Sequence, residues 1–404
     1  MNNRLPYRTY LYFAAQSVNL ITAVMSVTMA AIVGSSLAPT ASLSTLPYGF
    51  QFLFVMLATY PASRLMSAIG RRAGFLVGTL PLAASGVLGY MAVEQHSFML
   101  LTLSHAALGT YIAFANFNRF AATDGLEPRL KPKAISLVVA GGVLAALLGP
   151  ALTSALREIV GFQEFALCYG AFVLLAGMAA LISAFMPEGK PDAPSANDCS
   201  SKKNRLGEAL SNPVILLAIV VASVGYSLMN LLMIQASMHM KHLHTHFSDV
   251  SMAIQWHVLA MFAPSFFTGW LIGRLGLKTV ICSGLILLLA SSVINLNSSS
   301  YEAMTLALVV LGLGWNFTYV GGGALLARGL EGHSNAIQVQ GVNDLGISIL
   351  ATVGAFAPAL LLAWIGWNGT NLLCIGLCAV VLVGVIVILR GTPQASLAME
   401  GARQ

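Results

Sequence analysis

The sequence predicts an all-α integral membrane protein in which twelve transmembrane helices form two six-helix halves. Composition is the first indication, because 57% of the residues are hydrophobic and only 8% are charged, whereas a soluble domain carries about 25% charged residues. The second is that most apolar runs are long enough to cross a hydrocarbon core of about 30 Å at about 1.5 Å per residue. The third is a polar segment that divides these runs into two sets of six. Barrel strands are excluded, since they would alternate and have only about ten residues.

Six helices are predicted before the polar segment and six after it. In the first half they cover Thr9–Val33, Leu43–Met66, Ala73–Val93, Phe98–Ala121, Ala134–Leu156 and Phe165–Met186. In the second half they cover Val214–Ser237, Val250–Leu275, Thr279–Leu296, Glu302–Leu326, Ile337–Trp364 and Leu372–Leu389. The first run is too long, and too poor in a small-residue cleavage site, for a removed signal peptide, so we expect it to remain as a helix.

The polar segment "PEGKPDAPSANDCSSKKNRLGEALSNP" is rich in Pro, Ser, Lys and Asn, which is typical of a flexible connection. We therefore divide the chain into a first half at 1–186, a linker at 187–213 and a second half at 214–404. A short repeat supports this division: "SRLMSAIGRR" at 63–72 and "GWLIGRLGLK" at 269–278 each follow the second helix of their half. Parallel halves of this kind are typical of transporters with a substrate site near the membrane midplane.

The positive charges predict the orientation. In the twelve-helix arrangement nearly all of the twenty Lys and Arg residues lie on the side of the two termini, and only Arg157 and Lys241 lie opposite. Because positively charged loops stay in the cytoplasm, we expect a multi-pass protein embedded in the lipid bilayer with both termini cytoplasmic. The net charge of +6 then reflects topology and not binding to nucleic acid.

The loop after the second helix of each half resembles the signature of the major facilitator superfamily, which reads approximately G-x-L-A-D-R-x-G-R-R/K. The second copy fits it at Gly269, Leu271, Arg274, Gly276 and Lys278. The first copy keeps Gly70, Arg71 and Arg72 but has Ser67 and Ala68 where Asp and Arg are usual. The resemblance implies alternating access between two halves, with gating or structural roles for Gly70, Arg71, Arg72, Gly269, Arg274 and Gly276.

Polar side chains inside the predicted helices are costly to place in a membrane and therefore mark gating, structural or substrate-contacting positions. The fourth helix carries Asn116, Asn118 and Arg119, and the eleventh carries Asn343 and Asp344. Asp344 is the one carboxylate that lies clearly inside a predicted helix. We assign Arg119 and Asp344 gating or structural roles.

Helices seven and eight carry a set of soft ligands. Met229 and Met233 in "MNLLM", and His257 and Met261 in "HVLAM", have i,i+4 spacing, so each pair lies on one helix face. Thioethers and a neutral imidazole suit Cu(I), whereas hard cations need oxygen ligands. The alternative interpretation is packing, because Met is a flexible filler of apolar cores. Met25 and Met29 on helix one have the same spacing, and we hypothesise that they supply thioethers from the opposite wall.

The segment "SMHMKHLHTHFSD", predicted to be the outer loop between these two helices, extends the same chemistry. It contains Met238, His239, Met240, His242, His244 and His246. These residues are candidates for capturing a metal before it enters the membrane. A His-rich loop can also bind metals adventitiously or respond to protons near pH 6.5.

The segments "GYSLMNLLM", "IQWHVLAMFAPSFFTGWLI", "FNRFAATD" and "GLGWNFTYVGG" show a narrower resemblance, to the CcoA-type copper importers of this superfamily. That family is marked by M-x-x-x-M on helix seven and H-x-x-x-M on helix eight. The resemblance implies copper uptake across the bacterial inner membrane, supporting the assembly of cytochrome oxidase. Relatives in the same branch move riboflavin.

Two functions are therefore carried forward, each for a protein expected to act as a monomer without a resident cofactor. In the first, copper ion is the transported substrate, and the membrane potential alone drives a monovalent cation inward. In the second, the protein imports or exports a small organic solute such as riboflavin, with Asn316 for hydrogen bonding and with stacking residues Trp256, Trp315, Phe317 and Tyr319. An enzyme is disfavoured, because no nucleophile with a neighbouring base and no phosphate-binding loop is apparent.

Overall fold

The computed structural model describes residues 5–40, 43, 46–188, 207, 210–242, 247–331, 333 and 335–390. Within these ranges the regular structure is entirely helical. The predicted linker at 187–213 falls largely outside the described residues, so the predicted division into 1–186 and 214–404 stays a prediction.

Along the first half, the residues that the structure describes form seven α-helices, which make six membrane spans. They are α1 (Tyr7–Leu37), α2 (Leu46–Ile69), α3 (Arg71–Glu94), α4 (Phe98–Ala115), α5 (Asn118–Ala121), α6 (Lys131–Leu156) and α7 (Ala166–Ala184). Span four consists of α4 and the short α5. A single 3₁₀ turn, Pro128–Leu130, leads into α6.

Along the second half, the part of the chain that the structure describes forms six helices. They are α8 (Pro213–His242), α9 (Phe247–Phe262), α10 (Ser265–Leu275), α11 (Leu277–Asn297), α12 (Tyr301–Gly329) and α13 (Ala336–Ile388). Span eight is bent by 44° between α9 and α10, where Pro264 cannot donate a backbone hydrogen bond. At about 1.5 Å per residue, the 53 residues of α13 would extend far beyond a bilayer of about 30 Å. This helix breaks at Gly366, whose φ of 68° is not helical, and therefore supplies spans eleven and twelve.

The predicted fold class, twelve spans in two six-helix halves, is confirmed in the described residues. Among the described residues ten helices, and an eleventh span if the bent pair α9 and α10 is counted as one, are long and apolar enough to cross a membrane. The part of α13 that precedes Leu361 supplies the remaining span. In a bilayer every backbone polar group must be satisfied inside the protein, which favours helices throughout the apolar runs.

The predicted end of helix seven is too early. The outer loop was expected to begin after Ser237, but α8 continues to His242, so Met238, His239 and Met240 lie on the helix. Nothing between Ser237 and His242 breaks a helix, because this stretch has neither Gly nor Pro. His244 and His246 lie outside the described residues.

Candidate functional site

The two halves meet through a buried ion pair. Arg119, on α5 of the first half, donates through Nη2 to Oδ1 of Asp344, on α13 of the second half. Their side chains are only 5% and 4% exposed. Asn343 Nδ2 donates to the same carboxylate oxygen at 2.8 Å. Two residues that the sequence assigned to gating thus form one cross-half contact.

Aromatic rings flank this arginine. The Arg119 guanidinium carbon lies 4.4 Å from the ring centroid of Tyr319 and 4.5 Å from that of Phe120. Tyr319 is in turn stacked on Trp315, with centroids 4.8 Å apart and planes within 14°. A guanidinium over an aromatic face is attracted by the ring quadrupole, and more strongly when both groups are desolvated. The result is a layered arrangement of indole, phenol and guanidinium.

Two further rings complete an aromatic cluster, which we define as Trp315, Tyr319, Tyr226 and Phe262. The ring centroid of Tyr226, on α8, lies 5.8 Å from that of Trp315 and 5.9 Å from that of Tyr319. The ring centroid of Phe262, at the end of α9, lies 5.4 Å from that of Trp315, and the two ring planes are nearly perpendicular at 78°. Trp315 and Tyr319 are four residues apart on α12 and so share one helix face. Three spans of the second half therefore present rings beside the cation from the first half.

At the end that carries the termini, hydrogen bonds close the halves together. Arg71 donates to Asp124 at 2.8 Å and 3.2 Å, and its Nη2 also reaches Gln340 of the second half at 2.8 Å. Gln338 donates to Ser67 at 3.0 Å. Asp124, after α5, thus supplies Arg71 with a carboxylate although the first loop copy lacks its usual Asp. The sequence had not assigned a role to Asp124, Gln338 or Gln340.

A second set of contacts at the same end joins spans five, eight and ten. Lys131 pairs with Glu331 at 3.2 Å. Ser136 on α6 donates to the Ser265 carbonyl and accepts from the Gly269 backbone N–H at 2.9 Å. Gly269 packs so closely on α6 that an added Cβ would lie 2.6 Å from the Lys133 Cα. The predicted gating position Gly269 is therefore a point of backbone contact between the halves.

The remaining loop positions act more locally. Gly70 and Gly276 adopt almost the same backbone conformation, with φ of 85° and 84°. Arg72 pairs with Glu188 at 2.8 Å at an exposed position. Arg274 lies over the Trp270 ring at 5.4 Å.

Of the soft ligands predicted on spans seven and eight, three are buried and Met233 is half-buried, but His257 is directed toward a different span. Met229 and Met261 belong to the larger buried cluster, and Met233 packs against it. His257 Nδ1 donates to the Leu308 carbonyl on α12 at 2.7 Å, while its Nε2 is buried without a hydrogen-bond partner. Among the described residues no group of three or more His, Cys, Asp or Glu side chains could hold a metal ion.

The other predicted metal residues are dispersed. Met25 and Met29 are fully buried in a separate apolar cluster of the first half. His239 stacks on Trp367 with centroids 4.6 Å apart and planes within 4°. Met240 is buried and Met238 is half-buried. A metal role for these residues stays a prediction.

A buried histidine of the first half escaped the sequence analysis. His105 Nδ1 lies 3.1 Å from Gln51 Oε1, and its Nε2 lies 3.1 Å from the Tyr169 hydroxyl. Ser26 donates to the same Gln51 oxygen at 2.7 Å. Since Gln51 Oε1 can only accept, Nδ1 carries the proton and Nε2 accepts from Tyr169. The rarity of histidine inside a membrane, which drew attention to His257, was the signal that could have found it.

A family model described as Major Facilitator Superfamily matches residues 11–262 and 215–403. The chain belongs to the major facilitator superfamily. It is a membrane transporter and not an enzyme, as the sequence predicted.

Individual relatives of this superfamily member agree with that assignment. The chain is 34% identical over 381 residues to the riboflavin transporter RfnT of Brucella anthropi, covering 93% of this chain and 94% of that protein. In fold it is similar to the transporter FucP in the outward conformation, with TM-score 0.75, 12% identity and coverage of 95% and 98%. A bacterial homologue of the iron transporter ferroportin in the outward-facing state also has TM-score 0.75, with 11% identity and coverage of 95% and 100%. Copper import gains no support from these comparisons, whereas the first relative fits the organic-solute alternative.

The residues predicted to contact an organic solute have different positions in this major facilitator protein. Trp315 and Tyr319 lie in the aromatic cluster, whereas Phe317 is only partly buried and Trp256 is 51% exposed on α9. The Asn316 side chain is already engaged, because it donates to the Met261 carbonyl at 2.6 Å and accepts from Thr268 at 2.7 Å. Of the predicted stacking residues, the structure therefore brings Tyr319 against Arg119 of the first half, with Trp315 stacked on Tyr319.

Proposed function

We propose that this protein transports a flat, aromatic organic solute of the riboflavin class, which binds at the aromatic cluster beside the Arg119–Asp344 pair. The layered stack of Trp315, Tyr319 and Arg119 at the cross-half contact is the observation that carries the proposal. Aromatic rings with a few placed polar groups are the usual lining of a site for a ring-shaped ligand. The riboflavin transporter relative, similar over nearly the whole chain, supports the same class of solute.

The closed end supports a direction of transport. Contacts such as Arg71 to Gln340 and Lys131 to Glu331 hold the halves together at the end that carries the termini. A solute would then enter from the opposite end. If the positive charges orient the termini to the cytoplasm, as the sequence predicts, this state receives solute from outside and the protein is an importer.

Uptake of labelled riboflavin by a host that cannot synthesise it tests the proposal. Cells that express the protein should accumulate riboflavin, and Trp315→Ala should reduce the initial rate at least tenfold because it removes the ring on which Tyr319 stacks. The matched control is Trp364→Ala, since Trp364 is 79% exposed and outside the cluster. The control should retain the full rate at equal expression. Cells that express the wild-type protein and accumulate no riboflavin would contradict the proposal.

Copper import remains a second candidate, favoured by one observation: the Nε2 atom of His257 is buried, has no partner and is chemically able to bind a soft metal. In that case the copper supplied would serve the assembly of cytochrome oxidase. The same cells, analysed for metal content, separate the two functions. Under the riboflavin proposal their copper content stays that of cells without the protein, and a rise that His257→Ala abolishes would favour copper.

A further inference from the structure

Four buried polar atoms in the Arg119–Asp344 pair and the side chains next to it have no hydrogen-bond partner in the structure. Two are donors, Arg119 Nε and Trp315 Nε1, and two are acceptors, Asn343 Oδ1 and Asp344 Oδ2. All four side chains are at least nine-tenths buried. An unpartnered polar atom in such surroundings is destabilising and therefore rare in folded proteins. Three of these atoms belong to the ion pair and the adjoining Asn343, and the fourth belongs to the indole stacked on Tyr319, so all four are available to a ligand.

The geometry of the ion pair explains why these atoms are free. Arginine and carboxylate groups often pair through two parallel hydrogen bonds. Here Asp344 Oδ1 accepts from both Arg119 Nη2 and Asn343 Nδ2, so one oxygen takes both donors and Oδ2 takes none. The pair holds the halves together without using all of its hydrogen-bonding capacity.

The free atoms lie around the rings that a flat solute would contact. Trp315 is stacked on Tyr319, and the Arg119 guanidinium lies over the same Tyr319 ring. The site thus offers two donors on side chains that contact Tyr319, and two acceptors beside Arg119.

We propose that this centre recognises its solute through an imide-type edge, in which a ring N–H lies between two carbonyl groups. Asp344 Oδ2, assisted by Asn343 Oδ1, accepts the ring N–H, and Arg119 Nε and Trp315 Nε1 donate to the carbonyl oxygens. The inference rests on the proposed function and names the part of the solute that is recognised. The pyrimidine part of riboflavin carries such an edge, as do other flat heterocycles with a C(=O)–NH–C(=O) unit.

The test compares analogues on the wild-type protein in the riboflavin uptake assay. One analogue is 3-methylriboflavin, which lacks the ring N–H, and the control is an analogue with one extra carbon at the dimethylbenzene end. We expect 3-methylriboflavin to compete at least tenfold more weakly than riboflavin, since its methyl group leaves Asp344 without a donor. The control analogue should compete within about threefold of riboflavin, given the small worth of one methylene in an apolar pocket. Equal competition by 3-methylriboflavin and riboflavin would overturn the inference while leaving riboflavin transport intact.

A variant localises the interaction. In Asp344→Asn, which keeps the shape of the side chain, the tenfold difference between riboflavin and its 3-methyl analogue should disappear. A difference that persists undiminished in this variant would place the N–H contact elsewhere and overturn the assignment. Because loss of the ion pair can impair folding, the analogue comparison on the wild-type protein decides without the variant. Absence of any riboflavin uptake by the wild-type protein is a separate result, which removes the proposed function and this inference with it.

Discussion

At the residue scale, two glycines determine how spans follow one another in both halves. Gly70 joins α2 to α3 and Gly276 joins α10 to α11, with φ/ψ of 85°/161° and 84°/154°. This region of backbone conformation is essentially restricted to glycine. Because α3 begins at the next residue, Gly70 also places Arg71 where it reaches Asp124 and Gln340.

We expect Gly276→Ala to lower stability by about 1–3 kcal/mol, because alanine would be forced into a conformation that L-residues rarely adopt. The measurement is the thermal midpoint of the purified protein in detergent. Gly177→Ala is the matched control, since Gly177 lies within α7 and an added Cβ there would meet nothing within 4 Å. Similar midpoints for Gly276→Ala and Gly177→Ala would show that the conformation carries no such strain.

At the element scale, span eight depends on a brace from a neighbouring helix. Where α9 and α10 meet at 44°, the helical hydrogen bonds are interrupted around Pro264. Asn316 on α12 donates to the Met261 carbonyl and to the Ser265 hydroxyl, and it accepts from Thr268. One amide therefore satisfies groups on both sides of the break, and it fixes Phe262 at the edge of the aromatic cluster.

Replacing Asn316 by alanine should lower stability by about 1–3 kcal/mol, because the Met261 carbonyl would be buried without a partner. It should also reduce the rate of solute uptake, since Phe262 would lose its fixed position. Thermal midpoint and uptake are measured together. Asn297→Ala serves for comparison, as Asn297 is exposed and bonds only within its own helix. An Asn316→Ala protein as stable as Asn297→Ala would exclude a bracing role.

At the scale of the whole molecule, the halves are held together at one end and by the Arg119–Asp344 pair. Ser67 and Gln338, Arg71 and Gln340, and Lys131 and Glu331 are joined at the end that carries the termini. Alternating access requires that these contacts open while contacts at the opposite end form. A covalent link across this end would therefore arrest the cycle.

In a background where the five native Cys are replaced, Ser67→Cys with Gln338→Cys should form a disulfide under mild oxidation. Uptake should then stop and return on reduction, because the linked halves can no longer separate at this end. The control replaces Ser85 and Ser104 by Cys; their hydroxyl oxygens lie 3.2 Å apart within the first half. A disulfide there should leave uptake unchanged. Full uptake by the cross-linked Ser67 and Gln338 variant would rule out opening at this end.

The contacts between the halves could not be predicted from the sequence. Trp315 and Tyr319 were singled out for stacking, and Arg119 and Asp344 for gating, as two unrelated groups. Arg119 and Asp344 are 225 positions apart in the chain, and no local pattern indicates that their side chains meet. The rotation of each helix about its axis decides this, and it depends on packing against several neighbours at once.

The metal hypothesis illustrates the same point. The i,i+4 spacing correctly placed each Met and His pair on one helix face, but it could not show which neighbour that face meets. In the structure His257 donates to Leu308 of span ten, and Met25 and Met29 lie in a cluster of the first half apart from Met229 and Met261. The spacing of residues shows which side chains share one face of a helix, but it does not show which neighbouring helix that face contacts.

The sequence by itself determined that this protein is a membrane transporter of two repeated six-helix halves. Length, apolarity and the glycine-containing repeat are properties of the chain read in one dimension, and the bilayer converts apolar runs into helices because it offers the backbone no other hydrogen-bond partners. Only the tertiary structure decided that Arg119 of the first half lies against the stacked rings of Tyr319 and Trp315 of the second half. It also showed that polar atoms of this group have no hydrogen-bond partner. Those contacts arise between distant segments, where the packing of whole helices, and not local sequence, sets which side chains meet.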